Sequence, residues 1–251
     1  MKCRYLRIPP GDEVYRDERA KLFVQRVDGE TEEIFCSNLC LLAMCWLKDK
    51  CVYLDTHMFE FYVLYEMLDE NVPLRPVGYF SKQKMSKFAH NLSCFCVFPC
   101  YQMKGYGRFL IHLSYIFSRL SDLPGGPERP LSNYGLLAYA SYWKRTILLE
   151  LHKRLVVRKG PMPTVEDLVF STGMRKEDII ECIRALFVPG EGDVTAEVTL
   201  GSIIALADKE KKKDRGKVYP SEEKLNKKFL EELRSLKDMI EREWSPMEED
   251  E

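Results

Sequence analysis

The stretch that decides the fold class is Gln102-Met103-Lys104-Gly105-Tyr106-Gly107-Arg108. It follows an apolar run that ends at Pro99, and a helical pattern begins directly after it at Phe109. The first N–H groups of a helix lack internal partners and carry partial positive charge, and glycines let an anion approach the backbone closely. A strand, a glycine loop and a helix in this order therefore predict a phosphate-binding loop. Taken alone, the pattern also fits an ordinary turn.

The composition excludes several classes of protein. The chain has 251 residues, which suits one large domain or two small ones, and its 45% hydrophobic and 31% charged content is typical of soluble globular proteins. Its longest apolar run, residues 39–47, is about half of a membrane span, and no apolar signal segment follows Met1. A net charge of −1 gives no general attraction to nucleic acid. We expect neither a membrane nor a secreted location.

The cysteines predict reduced thiols rather than a disulfide framework. Nine is an odd number without regular spacing, and most of these side chains are expected to be buried. Cys94-x-Cys96-x-x-x-Cys100 and Cys36-x-x-x-Cys40 lack the close pairs of a structural zinc site, and the four histidines are scattered. We therefore expect no metal, with a zinc site as the less favoured alternative.

The first half of the chain predicts a sheet with one helix. The dipeptide Asp28-Gly29 is a hairpin signal, which places a turn between strands over residues 21–27 and 31–36. Ser37 is then expected to cap a helix over residues 38–47. Further strands are predicted over residues 51–54, 58–66, 75–80 and 92–98. The expected fold class is α/β (α+β), a mixed central sheet flanked by helices, with the loop at the C-terminal end of one strand.

The next part of the chain is mainly helical. Residues 121–130 are expected to form a loop, and a helix is predicted over residues 135–154. Thr164 opens a capping pattern for a short helix, Gly173 ends that helix, and a second helix spans residues 175–186, before a short strand over 194–200. Acidic and basic residues balance each other in the second helix, so packing is favoured over DNA binding for this helix-turn-helix.

The last part of the chain is charged and then amphipathic. Residues 209–217 form a basic run that we expect to be solvated. From Ser221 onward apolar residues recur at spacings of three and four, which predicts an amphipathic helix. These residues are Leu225, Phe229, Leu233, Leu236 and Ile240. Docking onto the domain is the favoured interpretation, and a seam for a partner subunit is the alternative.

Five blocks of sequence, in one order and at a consistent spacing, resemble the MYST family of protein lysine acetyltransferases. The blocks are Pro9-Pro10-Gly11-Asp12-Glu13-Val14-Tyr15-Arg16, Cys36-Ser37-Asn38-Leu39-Cys40-Leu41-Leu42, Val77-Gly78-Tyr79-Phe80-Ser81-Lys82, the glycine loop, and Pro127-Glu128-Arg129-Pro130-Leu131-Ser132-Asn133-Tyr134-Gly135-Leu136-Leu137. Tyr139-Ala140-Ser141-Tyr142-Trp143 continues the last block. The resemblance extends from about Pro9 to about Lys213, and the loop is similar to the acyl-CoA loop of N-acetyltransferases.

The resemblance implies an acetyl-CoA N-acyltransferase-like fold with a winged-helix-like helix-turn-helix module. It divides the chain into a hairpin and helix region (residues 1–57), an acetyl-CoA-binding core (58–157), the helix-turn-helix module (158–213), and an amphipathic helix with an acidic tail (214–251). The family carries a Cys-Cys-His-Cys zinc finger before the first block, where this chain has only Cys3, so the finger is expected to be lost.

The resemblance also implies the catalytic residues. A lysine of pKa ~10.4 must lose a proton before its amine attacks a thioester, and Glu128 matches the family's catalytic glutamate. We expect partial burial to raise its pKa toward neutrality, the alternative being a surface carboxylate paired with Arg129. Cys94 matches a cysteine beside the thioester, either as nucleophile or as a packing residue, and direct attack by the amine is favoured.

The co-substrate that the resemblance implies is acetyl-CoA. Backbone contacts to its pantetheine arm are implied for Phe95, Cys96 and Val97, and its pyrophosphate is assigned to Gln102, Met103, Lys104, Gly105, Tyr106, Gly107 and Arg108. Ser132 and Ser141 carry over as side-chain contacts, whose alternatives are a helix cap and simple packing. Lys50 matches the lysine that the family acetylates on itself, with a solvated surface lysine as the alternative.

The resemblance implies a nuclear histone lysine acetyltransferase, a chromatin regulator that acts on histone tails within a multisubunit complex, without sequence-specific DNA binding. A catalytically weak or inactive structural subunit of such a complex is the alternative. An acetyltransferase acting on small amines is a third possibility, which lacks the Pro-Glu-Arg-Pro and Gly-Tyr-Phe-Ser-Lys blocks.

Overall fold

The computed structural model of the chain describes residues 8–47, 55–67, 74–85, 90–187, 199–214 and 216–243, with side chains as far as residue 236. The strands are β1 (Asp12–Asp17), β2 (Leu22–Asp28), β3 (Phe59–Glu66), β4 (Arg75–Gln83), β5 (His90–Leu92), β6 (Cys94–Val97) and β7 (Gly126–Pro127). The helices are α1 (Glu33–Met44), α2 (Tyr106–Leu120), α3 (Asn133–His152), α4 (Val165–Thr172), α5 (Lys176–Phe187), α6 (Leu200–Lys213) and α7 (Lys227–Glu243). No helix in these ranges is long and apolar enough to cross a membrane.

The strands form one large sheet and one small one. The large sheet has five strands in the order β1-β2-β3-β4-β6, and every neighbouring pair is antiparallel. The parallel pairing occurs in the small sheet, between β5 and β7. The expected α/β class with helices flanking a central sheet is therefore confirmed, but the central sheet is antiparallel throughout and not mixed.

The predicted hairpin at Asp28-Gly29 is wrong. Strand β2 pairs with β1 on one side and β3 on the other, and residues 33–36 belong to α1. The Asp28 carboxylate accepts the N–H groups of Glu30 (2.8 Å) and Thr31 (3.3 Å), which turns the chain away from the sheet. The buried residues of α1 are spaced as on one helical face, and they are Cys36, Leu39, Cys40 and Ala43. Ser37 therefore lies inside the helix and does not cap it.

The predicted strand over residues 92–98 is interrupted. Ser93 separates β5 from β6, and its N–H donates to the carbonyl of Ser81 at 2.8 Å. Strands β3 and β4 confirm two other predictions, with β4 extending to Gln83. The predicted strand over residues 51–54 lies outside the described residues.

The helices that follow the glycine loop begin at recognisable N-cap residues. Helix α2 starts three residues earlier than predicted, after Gly105 with φ of 95°, and α3 starts after Ser132. Helix α4 has the expected capping box of Thr164 and Asp167 and ends at Gly173, with φ of 71°. Helix α3 continues into a π-helical turn at Lys153–Val157.

Helix α6 differs from the sequence-based prediction for its region. Thr199 caps it, so Leu200 begins a helix rather than ending a strand, and the rest of that predicted strand, residues 194–198, lies outside the described range. The basic run begins within this helix, and Lys213 forms an ion pair with the buried Glu210 at 2.7 Å.

Both faces of the large sheet are covered. Helices α2 and α7 cover one face, where Tyr62, Phe80, Phe117 and Phe229 share a cluster. Helix α1 covers the other face, against Phe23, Phe61 and Tyr79. A third cluster joins α2 to the helices α3 to α6, and its largest members are Tyr115, Tyr139, Tyr142 and Trp143.

Helix α7 docks on the domain. Leu225, Phe229 and Leu233 are buried, and the ring of Phe229 lies 5.1 Å from that of Phe117. Arg26 lies over the Phe229 ring, and its guanidinium contacts Glu232 at 2.6 Å. The described part of this helix therefore uses its apolar face within the chain, as the favoured interpretation predicts.

Replacing Phe229 with alanine is expected to lower the free energy of unfolding by about 3 kcal/mol, because it leaves a cavity between α2 and the sheet. Urea denaturation measures this loss, and Lys228→Ala, an exposed change in the same helix, is the control. Equal stability of the two variants would mean that α7 is not docked in solution.

Candidate active site

The glycine loop leaves backbone N–H groups open at the start of α2. The N–H of Phe109 donates to the carbonyl of Gly105 at 3.0 Å, the first bond of the helix, so the N–H groups of residues 106–108 precede it. The left-handed φ of Gly105 turns the chain into the helix. The start of α2 can therefore bind an anion, as the loop pattern predicts.

Gly107 faces strand β6 across a narrow gap. A Cβ at this position would lie 3.7 Å from a methyl carbon of Val97 and 3.8 Å from the ring of Phe95, which are ordinary contact distances. The fold itself therefore tolerates a methyl group here. The missing side chain of Gly107 instead leaves space for a ligand that lies along β6 and reaches the loop.

Strand β6 is an edge strand with backbone groups available. Phe98 donates to the carbonyl of Val77 at 3.0 Å, and antiparallel hydrogen bonding alternates along a ladder. Phe95 and Val97 therefore direct their amides away from β4, whereas the Cys96 backbone points toward β4. The Gln102 side-chain amide donates to the carbonyl of Val97 at 3.0 Å, which fixes the loop against this edge. Of the three residues implied for pantetheine contact, Phe95 and Val97 direct their N–H groups outward, and the Val97 carbonyl is already used by Gln102.

Glu128 lies near the start of β6. Its N–H donates to the carbonyl of Leu92 at 2.9 Å, which holds the residue beside the junction between β5 and Cys94. The Glu128 side chain is exposed, so the expected partial burial is wrong: the residue follows β7 at the surface. Arg129 pairs with Asp178 (2.7 Å) and Glu181 (3.5 Å), so the predicted alternative of a Glu128–Arg129 pair is not what the structure has.

His90 is a neighbour of Glu128 that the sequence did not single out. Burial lowers the pKa of His90, and the negative charge of Glu128 opposes that shift. A lone histidine on a short strand carries no motif, so only the pairing of β5 with β7 reveals this contact.

Cys94 is half-buried at the first position of β6. Its N–H donates to the hydroxyl oxygen of Ser81 at 3.2 Å. Burial raises the pKa of two neighbouring thiols, that of Cys40 to about 11 and that of Cys96 to about 12. Those two thiols are therefore protonated at neutral pH.

The two predicted serine contacts occupy different settings. The Ser132 hydroxyl accepts the N–H of Gly135 at 3.2 Å and caps α3, as its alternative interpretation predicts. The Ser141 hydroxyl accepts a hydrogen bond from the Arg108 guanidinium at 3.1 Å. Ser141 and Arg108 thus lie together beside the first turn of α2.

The length of strand β6 suits a ligand that binds in an extended conformation. From Val97, where the loop is fixed, β6 runs about 10 Å back to Cys94. A molecule held by its phosphates at the loop and by its amides along β6 would place its far end beside Cys94 and Glu128. In the part of the chain that the structure describes, no three histidine, cysteine or carboxylate side chains are placed to share a metal. Lys50 lies outside that part.

The sequence matches the MOZ/SAS family over residues 8–225. The chain belongs to this family, which confirms the resemblance to the MYST acetyltransferases drawn from the five blocks.

Curated relatives carry names of the same kind. The histone acetyltransferase mst2 of Schizosaccharomyces pombe is 41% identical over 188 residues, covering 75% of this chain and 44% of the relative. The histone acetyltransferase of the MYST family 2 of Arabidopsis thaliana is 44% identical over 185 residues, covering 74% and 39%. The histone acetyltransferase Tip60 homolog of Caenorhabditis elegans is 40% identical, covering 71% and 38%. This chain spans about two-fifths of the length of these relatives.

Helix α2 carries an uncharged histidine one turn after Arg108. The ring of His112 contacts the hydroxyl of Tyr142 at 2.8 Å. Burial lowers the pKa of His112 to about 4, and the charges of Arg119 and Arg145 act in the same direction. This histidine is therefore neutral in the folded chain throughout the physiological range.

His112 is expected to destabilise the fold in acid. Below pH ~6.5 the unfolded chain binds a proton at this position and the folded chain does not, so stability falls between pH 7 and pH 4. At pH 5 the loss is about 1–2 kcal/mol. Urea unfolding at pH 7.5 and pH 5 should show a smaller drop in stability for His112→Gln than for the wild type. Equal drops in the two proteins would contradict the prediction.

Proposed function

We propose that this chain is the catalytic region of a histone lysine acetyltransferase, which transfers acetyl from acetyl-CoA to the side-chain amine of a lysine. The observation that carries this proposal is the continuous path from the open amides of α2, along the free edge of β6, to Cys94 and Glu128. The names of the relatives support histones as the substrate class.

The residues present fit acetyl-CoA. Open N–H groups at the start of α2 and the amides of Phe95 and Val97 match a diphosphate followed by an amide-containing arm. When bound, acetyl-CoA supplies the acetyl thioester. The loop holds the diphosphate, the edge of β6 orients the arm, and Gln102 keeps the two together through Val97.

Glu128 is the proposed general base. The substrate lysine is almost wholly protonated at neutral pH, and the Glu128 carboxylate accepts its proton as the amine attacks. The side chain is exposed in the free chain, so the docked histone segment itself must exclude water from the carboxylate. The base thus becomes effective only with substrate in place.

Cys94 is proposed to pack beside the acetyl group while the amine attacks directly. Burial keeps the neighbouring thiols of Cys40 and Cys96 protonated, which is typical of an apolar setting around a packing residue. An acetyl-cysteine intermediate is the alternative, and Cys94→Ser separates the two.

The setting that we propose is nuclear. A histone substrate places the protein in the nucleus as a chromatin regulator, within a multisubunit complex. We also propose acetylation of Lys50 by the enzyme itself, and mass spectrometry of active protein with an unmodified Lys50 would refute that.

A catalytically weak structural subunit is the second candidate, and the exposure of Glu128 favours it. Radiolabelled acetyl-CoA with core histones distinguishes the two functions. Labelling by the wild-type chain supports the enzyme, and no labelling under conditions where the chain binds CoA supports the structural subunit.

Glu128→Gln is expected to lower histone labelling at least about 100-fold, because the amide cannot accept the lysine proton. The affinity for CoA, measured by calorimetry, should stay unchanged. Glu177→Gln, an exposed carboxylate on α5, is the matched control and should retain activity. Equal labelling by Glu128→Gln and wild type would remove Glu128 from catalysis.

Gly107→Ala is expected to weaken CoA binding at least about tenfold, because the methyl group enters the gap between α2 and β6. Stability should be unchanged or raised by up to about 1 kcal/mol, since alanine favours helices. Gly201→Ala, at the same second position of α6, is the control, because a Cβ there would make only an ordinary contact, 3.8 Å from the Thr199 hydroxyl oxygen. Undiminished CoA affinity in Gly107→Ala would show that the gap is not part of the binding site.

A further inference from the structure

We propose that Arg145 is a positioning residue for cofactor binding: by sharing the carboxylate of Asp214 with Arg108, it leaves the Arg108–Ser141 cluster with a free positive charge that binds a phosphate of the cofactor. This inference rests on the proposed function. It assigns a purpose to Arg145 and Asp214, which neither the phosphate loop nor the five sequence blocks include.

The cluster joins three distant parts of the chain. Arg108 on α2 donates to the Asp214 carboxylate at 3.0 Å, to the hydroxyl of Tyr219 at 3.1 Å, and to Ser141 on α3 at 3.1 Å. Each end of this guanidinium is therefore held, and its position at the first turn of α2 is fixed.

Arg145 holds the same carboxylate from the other side. Its Nε hydrogen-bonds to the second oxygen of Asp214, and its guanidinium lies over the ring of Tyr219 at 4.2 Å. Tyr219 in turn donates to Asp214. Two arginines and one tyrosine thus surround a single carboxylate, whose side chain is 13% exposed.

The charges of this cluster do not cancel. Two guanidinium groups share one carboxylate, burial raises the pKa of Tyr219 so that its hydroxyl stays neutral, and the neighbouring His112 is neutral as well. The buried Glu210 carboxylate also acts on Arg108, but Lys213 pairs with it at 2.7 Å, so one positive charge remains on side chains that are only 19% (Arg108) and 13% (Arg145) exposed. Cations removed from water favour an anionic partner strongly.

The position of the surplus charge identifies the anion. Arg108 lies in the first turn of α2 and carries the last of the open N–H groups, so an anion at the loop meets the guanidinium and the helix start together. Coenzyme A carries a diphosphate and a 3′-phosphate, and both share this chemistry. Without Arg145, Asp214 would neutralise Arg108 alone and the attraction would be lost.

Charge-balanced variants test the proposal by calorimetric titration of the full chain with CoA. Arg145→Gln is expected to weaken CoA binding about tenfold. The double variant Arg145→Gln/Asp214→Asn removes both charges, frees Arg108 again, and should restore most of the affinity. If Arg145 had only a structural role, the double variant would bind CoA no better than the single variant, because it loses more contacts.

Three comparisons sharpen the test. Arg145→Lys keeps the charge and should bind CoA nearly as well as wild type, and Arg154→Gln, which removes an arginine paired with Glu150, should leave binding unchanged. Titration with 3′-dephospho-CoA tells which phosphate is bound: a persisting penalty in Arg145→Gln assigns the diphosphate, and a vanished one assigns the 3′-phosphate. Thermal unfolding of each variant reports any loss of fold.

The outcomes separate this inference from the proposed function. Wild-type protein that binds CoA and labels histones, together with undiminished binding by Arg145→Gln or no restoration in the double variant, would overturn the role of Arg145 alone. Wild-type protein that binds no CoA would overturn both.

Discussion

The constraint on which the structure depends is the set of backbone N–H groups left without acceptors at the start of α2. No helix can satisfy them internally, and here Gly105 turns the chain into α2 beside β6, where Gly107 lies next to the side chains of Phe95 and Val97. Strand β6 has a free edge because it is the last strand of the large sheet and pairs with β4 on one side only. The proposed contacts to the diphosphate and to the pantetheine arm lie along this line, from the loop to Cys94.

The remainder of the molecule holds the two ends of that line in place. At one end, Gln102 fixes the loop to Val97, and the Asp214 cluster ties α3 and the end of α6 to the first turn of α2. At the other end, the short pairing of β5 with β7 carries Glu128 to the start of β6. The Glu128 side chain is exposed, so its environment is completed by the substrate that docks over it.

Local signals predicted the features that depend on neighbouring residues. The capping box of Thr164, the turn at Gly173, strand β3 and the helix after the loop are all determined by residues within one or two turns. The predicted hairpin failed because Asp28-Gly29 specifies a turn but not the type of the next element, which is the helix α1. The exposure of Glu128 and the contact between Arg108 and Asp214, 106 positions apart, depend on tertiary packing that no local pattern encodes.

The docking of α7 has a consequence for biosynthesis. Leu225, Phe229 and Leu233 complete the same cluster as Tyr62 and Phe117, yet a ribosome makes them more than a hundred residues after Phe117. During translation the aromatic face of the sheet is therefore open to chaperones or to other nascent chains until these three residues emerge. This face of the sheet is covered only once α7 has been made.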